Sequence, residues 1–175
     1  MEFRLPRLED KEEIIKYITD HYAHSEKELS ASMGLTSMKY EDWVELINLR
    51  TNIPDSTWLC SYTYLVFDNK RLIGLLSIRP EINEELANEY GHIGYGVKPC
   101  ERRKGYASKM LEFALEECRK LGLKKVLLGC YKENIGSSKT IIKNGGKLIR
   151  EVDDYHNVND NYNINLIREY YEIEL

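Results

Sequence analysis

No apolar run in this 175-residue chain approaches the length of a membrane span, and the opening Met1-Glu2-Phe3-Arg4 lacks the layout of a signal peptide. The chain is therefore expected to work in the cytoplasm. Cysteine is sparse: Cys60, Cys100, Cys118 and Cys130 stand far apart with no Cys-x-x-Cys pair, which argues against a disulfide framework and against zinc. His21 and His24 have no third ligand nearby in the sequence, so no metal is expected. Neither sign of charge dominates. With 25 Lys and Arg against 29 Asp and Glu, the net charge of −4 favours neither a nucleic acid nor an anionic membrane as partner. Repeats, linkers and low-complexity tracts are absent as well, so residues 1–175 read as one domain with a single sizeable core.

Hydrophobic spacing supplies an outline. Residues 3–5 read as a strand closed by Pro6. Asp10 is placed as an N-cap with Glu13 in a capping box, and Ile14, Ile15, Ile18 and Tyr22 then recur at helical spacing. After an irregular polar stretch, Tyr40, Trp43, Val44 and Ile47 form a second helical stripe, expected to pack in the core. Strands at 58–67 and 71–79 are joined by the turn-forming Asp68-Asn69-Lys70, and a fourth strand runs over 90–97. A further helix buries Ala107, Leu111, Ala114, Cys118 and Leu121 and stops at Gly122. Residues 124–131 read as a buried strand, and 147–152 and 164–173 as two more strands separated by a polar loop at 153–163.

The most informative stretch is 97–108, where a strand breaks at Pro99 and a basic, glycine-containing turn opens a helix. A helix N-terminus presents N–H groups with no intrahelical partner and carries about half a positive charge, which suits a pyrophosphate. Gly105 has no side chain to block an anion, Arg102, Arg103 and Lys104 add positive charge, and Ser108 offers a hydroxyl in the first turn. The pattern is neither the Walker loop nor the three-glycine dinucleotide turn.

The spacing Arg102-x-x-Gly105-x-Ala107 resembles the acetyl-CoA pyrophosphate loop of the GNAT superfamily of N-acetyltransferases. A second motif follows about thirty residues on, with Asn134, Ser137, Lys143 and Gly145 standing where that family has an Asn, a small residue and a closing Lys-x-Gly. The resemblance implies an α/β (α+β) GNAT fold, a mixed, mainly antiparallel six- to seven-stranded sheet flanked by helices. Its fourth and fifth strands splay, and the pantetheine arm of the cofactor inserts between them. It also implies acetyl-CoA as donor, held by Val97, Arg102, Arg103, Lys104, Gly105, Tyr106, Ala107 and Ser108 and by Asn134 and Ser137. Asn134 is equally a good helix N-cap, and both roles fit one residue. One departure stands out: where many members carry a Tyr that protonates the departing thiolate, this chain has Ile141.

By the same resemblance, the backbone N–H of Val97 polarises the thioester carbonyl. An amine with a pKa of about 10 must shed a proton before it attacks. His92, in a run resembling the ribosomal-protein acetyltransferase branch, is the candidate base, or else a His satisfied within the sheet. Tyr131 is the candidate acid, although a thiolate can leave without one. Tyr95 is assigned to the core. The acceptor is a primary amine on a small molecule or peptide, with a protein N-terminus or lysine as the alternative acceptor and a catalytically silent acyl-CoA-binding module as the alternative function. Acceptor choice is expected from loops 25–36, 80–89 and 153–163, where Asp153, Asp154 and Asp160 would attract a cationic amine or simply be solvated. A homodimer is compatible with all of these readings.

Overall fold

The computed structural model describes residues 1–52, 59–159 and 162–175. Strand β1 (Glu2–Arg4) precedes helices α1 (Lys11–Ala23) and α2 (Tyr40–Asn52). Strands β2 (Tyr62–Asp68) and β3 (Arg71–Ile78) follow, then α3 (Glu84–Glu89), β4 (Ile93–Val97), α4 (Tyr106–Lys120), β5 (Lys125–Tyr131) and α5 (Ile135–Lys143). The chain closes with β6 (Lys147–Asn159) and β7 (Tyr162–Glu174). The strands form two sheets, β1-β2-β3-β4 and β5-β7-β6, and every ladder in them is antiparallel.

Local chemistry explains several elements. Asn69 and Lys70 both adopt positive φ, as a two-residue hairpin turn requires, and Asp68 pairs directly with Arg71 across it. α2 buries Tyr40, Trp43, Val44 and Ile47, the whole expected stripe. With α1 it covers one face of β2 and β3 through Leu65, Phe67, Leu72 and Leu75. The other face, including Val66, Leu76 and Ile78, packs on Met110, Leu111, Ala114 and Leu115 of α4 and on β5 and β7. No helix among the described residues is long and apolar enough to cross a membrane.

Four expectations are corrected. The inward stripe of α1 is Ile14, Tyr17 and His21, while Ile15 and Tyr22 are exposed, because two tilted aromatic rings with centres 4.5 Å apart pack where the periodicity alone favoured aliphatic positions. Asp10 stands at the N-cap position of α1 but makes no side-chain cap bond to that helix, since its carboxylate is taken by Arg4 at 2.5 and 2.7 Å and by the Arg7 N–H that opens the preceding short turn. Leu121 is exposed, lying beyond the last turn of α4, where Gly122 at φ +87° reverses the chain. The loop expected at 153–163 is instead the far end of a hairpin, with β6 and β7 paired from Lys147↔Glu172 out to Asn159↔Tyr162. Strand ladders are closed by backbone bonds that polar side chains do not reveal. Trp58 and Asp160 lie outside the described residues.

Candidate functional site

The two sheets meet at a point and then part. At that point Gly91 bridges Leu128, the His92 N–H donates to the Leu127 carbonyl at 2.7 Å, and the Leu127 N–H donates to His92 Nδ1 at 3.0 Å. Beyond it no ladder among the described residues joins β4 to β5.

Strand alternation dictates what faces the resulting gap. On β4 the Arg79 N–H reaches the His92 carbonyl and the Lys98 N–H reaches the Ile73 carbonyl, so the even-numbered positions bond to β3. The peptide groups of Ile93, Tyr95 and Val97 therefore point away from β3, toward β5. On β5 the Leu175 N–H meets Lys124 and the Lys132 N–H meets Ile167, so Gly129 presents its peptide group to the gap from the other side, while the Tyr131 carbonyl on that side accepts from the Asn134 N–H at 2.8 Å. Two facing rows of backbone donors and acceptors with no strand between them form a slot for an extended, amide-bearing chain. It opens onto a cleft of about 1220 Å³ lined by Arg79, Tyr95, Cys130, Tyr131, Asn134 and Ile141 among others.

At the outer end of β4 the basic turn leads into α4. Gly105 sits at φ +81° as the N-cap of α4, and a Cβ there would meet nothing within 4 Å, so its open face looks onto free space. The expected residues divide here. Arg103 is exposed and carries no partner among the described residues, whereas Lys104 bonds the buried Glu101 at 2.7 Å. Arg102 is already occupied: its two terminal nitrogens grip Glu26 at 2.5 and 2.7 Å, and its Nε donates to the Val97 carbonyl at 3.0 Å. The Arg102 guanidinium holds the Glu26 carboxyl down at about 2. The Tyr106 hydroxyl anchors the turn to Asp68 at 2.7 Å. Ser108 is buried and Ala107 half-buried, leaving their backbone N–H groups as what the first turn presents.

On the second motif, Asn134 Oδ1 caps α5 by accepting from the Ser137 N–H at 3.1 Å. Its Nδ2 has no partner among the described residues and remains a donor on the cleft wall. Tyr95, read as core, packs against the core with its ring while its hydroxyl crosses to Ser137, 3.0 Å from Oγ and 3.3 Å from the carbonyl. Burial pushes that phenol up to about 12. The Tyr131 hydroxyl accepts from Arg168 Nη2 at 2.7 Å, and the guanidinium lies 4.5 Å from its ring centre. Ile141 is buried on the same side of the cleft.

His92 is half-buried at the vertex. Its Nδ1 accepts from Leu127, so the neutral ring carries its proton on Nε2 and has no lone pair left for another. Burial first, and the positive charge of Arg79 second, lower its pKa below 6.5. These contacts make His92 a strut that stands in for a peptide group where the strands part. His92→Ala is expected to cost about 1–3 kcal/mol by leaving the Leu127 N–H unsatisfied. A depressed folded-state pKa gives stability that is full above about 6.5 and is lost as pH falls toward the folded value. The variant should flatten part of that acid limb, with His21, whose pKa burial also lowers, supplying the rest. Urea melts across pH 5–8 check both, and an unchanged midpoint in the variant would remove the strut assignment.

A model described as the acetyltransferase (GNAT) family matches residues 22–141. The GCN5-related N-acetyltransferase 6, chloroplastic, of Arabidopsis thaliana is 34% identical over 80 residues, which are 45% of this chain and 27% of that protein, so the match spans under a third of the relative. Among solved structures, the microcin C7 self-immunity acetyltransferase MccE, in complex with acetyl-CoA and AMP, aligns with a TM-score of 0.71 at 17% identity, covering 99% of this chain and 91% of that one. RimL, a ribosomal L7/L12 α-N-protein acetyltransferase in complex with coenzyme A, aligns with a TM-score of 0.71 at 16% identity, covering 99% and 93%. At these identities the structural likeness is one of fold.

Proposed function

Since the chain belongs to the acetyltransferase (GNAT) family, we propose that it moves an acetyl group from acetyl-CoA directly to the primary amine of a small molecule or peptide bound in the same cleft. The observation that carries this reading is the slot between β4 and β5 ending at the Gly105 turn: backbone amides to pair with a pantetheine arm, then helix N–H groups and Arg103 for the pyrophosphate. The neighbours crystallised with acetyl-CoA or coenzyme A share the fold and support the donor.

In this reading the Val97 N–H, pointing into the gap, receives the thioester carbonyl and stabilises the oxyanion as the amine nitrogen attacks. The C–N bond forms, the C–S bond breaks, and the thiolate leaves. Proton removal from the incoming ammonium falls to water in the open cleft, because Nδ1 of His92 is engaged. Protonation of the thiolate is assigned to Tyr131, whose oxygen accepts from Arg168 so that its own proton is aimed away from the guanidinium, and the second proton shed by the amine nitrogen as the amide forms restores the phenol. Tyr95 is the poorer donor, raised by burial and turned onto Ser137.

A panel of primary amines, free peptides and lysine-bearing proteins, scored for thiol release and acetylated mass, tests the proposal. Acetylation of small amines or peptides is the expected result. Transfer confined to protein N-termini or lysines would move the acceptor to that class. Acetyl-CoA binding with no thiol release on any amine would overturn transfer in favour of a silent acyl-CoA-binding module.

Arg102 supports the turn through Glu26. Arg102→Glu should weaken acetyl-CoA binding by more than about tenfold, since two carboxylates then face each other beside the phosphates. Calorimetry on the charge-swapped pair, Arg102→Glu with Glu26→Arg, should recover most of the loss. A swap that recovers nothing would mean that the guanidinium itself touches the phosphates.

A further inference from the structure

Arg79 is a buried charge with an unusual set of partners. It is 8% exposed, yet it makes no ion pair among the described residues. Its partners are all neutral: Nε donates to the Gly91 carbonyl at 2.8 Å, Nη1 donates to Ser77 Oγ at 3.0 Å, and the Tyr90 ring centre lies 5.8 Å from the guanidinium carbon. Nη2 has no hydrogen-bond partner among the described residues. It lies 3.4 Å from where a Cβ of Gly94 would sit, so the missing side chain at Gly94 leaves the guanidinium edge beside the middle of β4, on the cleft wall. Burial lowers its pKa only to about 10, so the group stays cationic at neutral pH.

A buried cation without a counter-charge is costly, and a guanidinium with open N–H groups on one edge fits a planar carboxylate through two parallel bonds. The acetyl-CoA phosphates, by the reading above, sit at the opposite end of β4, at the Gly105 turn. Resting on that reading, we infer that Arg79 is the acceptor's anion subsite, and that the acceptor is a primary amine that also bears a carboxylate, such as an amino acid or an acidic peptide. Arg150, on the cleft wall and likewise without an ion pair, adds positive charge to the same cavity while stacked 4.0 Å from the Tyr170 ring centre. The acidic wall residues Glu85 and Glu89 then face the ammonium end of such a substrate.

Two measurements test this. Matched amines of equal length, β-alanine against propylamine and 6-aminohexanoate against hexylamine, are compared by kcat/KM with acetyl-CoA. The carboxylated member of at least one pair should be preferred by at least about tenfold, the worth of one charge-assisted contact, and Arg79→Gln should erase most of that ratio. A purely structural Arg79 would lower both members of a pair alike and leave the ratio unmoved. Independently of any transfer, hexanoate, propionate and inorganic phosphate are titrated into coenzyme A-saturated protein and followed by NMR at the β4 amides. Saturable shifts at Gly94 with a carboxylate, lost in Arg79→Gln, are expected. Equal use of both members of each pair overturns the inference, as does the absence of carboxylate binding or binding of phosphate alone. If no amine is acetylated, the transfer reading fails by itself and the titration alone decides the subsite.

Discussion

Gly105→Val is expected to reduce acetyl-CoA affinity by at least about a hundredfold while leaving the thermal midpoint nearly unchanged. The residue is exposed at φ +81°, where a β-branched side chain is held at a cost of about 1–3 kcal/mol. The chain relieves that strain by rotating the turn, and rotation withdraws the N–H groups that would meet the pyrophosphate, each worth about 1.5–3 kcal/mol toward an anion. Because no atom lies within 4 Å of the added Cβ, the core is untouched and folding should survive. Gly105→Asn separates the two contributions, since Asn tolerates the left-handed region and preserves the turn. Calorimetry should place it between the parent and the valine variant. Unfolding of Gly105→Val, or full affinity in it, would each sink the reading of this turn as the pyrophosphate site.

Tyr131→Phe should lower single-turnover transfer by about a hundredfold, the usual range for a lost general acid, with acetyl-CoA affinity held within about twofold. Arg168 is the positioning residue in this account, aiming the phenol through the 2.7 Å bond to its oxygen. Tyr95→Phe should fall by far less, because that hydroxyl is turned onto Ser137. The reverse order would move the acid to Tyr95, and loss in neither variant would mean that the thiolate leaves unassisted. Rapid-quench measurements are needed, so that product release does not mask the chemical step.

Residues 97–108 and 134–145 were readable because what they do is local. A glycine at positive φ, an Asn cap and a helix N-terminus are each decided by a few neighbouring residues, and the structure has Gly105 as the N-cap of α4 and Asn134 as that of α5. The stripe Tyr40, Trp43, Val44 and Ile47 was legible for the same reason, as a helix repeats its inward face within its own sequence. The face of α1 was not, because Tyr17 and His21 pack against Gly96 and Glu26, far along the chain or outside the helix.

The sequence by itself determined most of the strands and long helices, the two motifs and the family they mark, since these depend on residue type and short spacing, while α3 and the far end of the β6–β7 hairpin were read as loops. Only the tertiary structure decided which peptide groups face the gap, because that parity follows from the registers of β3 with β4 and of β5 with β7, set by pairings across dozens of residues. It also decided the fates of the charged and titratable groups. His92 became a strut, Arg102 was claimed by Glu26 from a distant loop, Tyr95 delivered its hydroxyl to α5, and Arg79 was buried against neutral partners. A side chain's chemistry depends on what surrounds it in space, and those surroundings come from elements that sequence proximity does not connect.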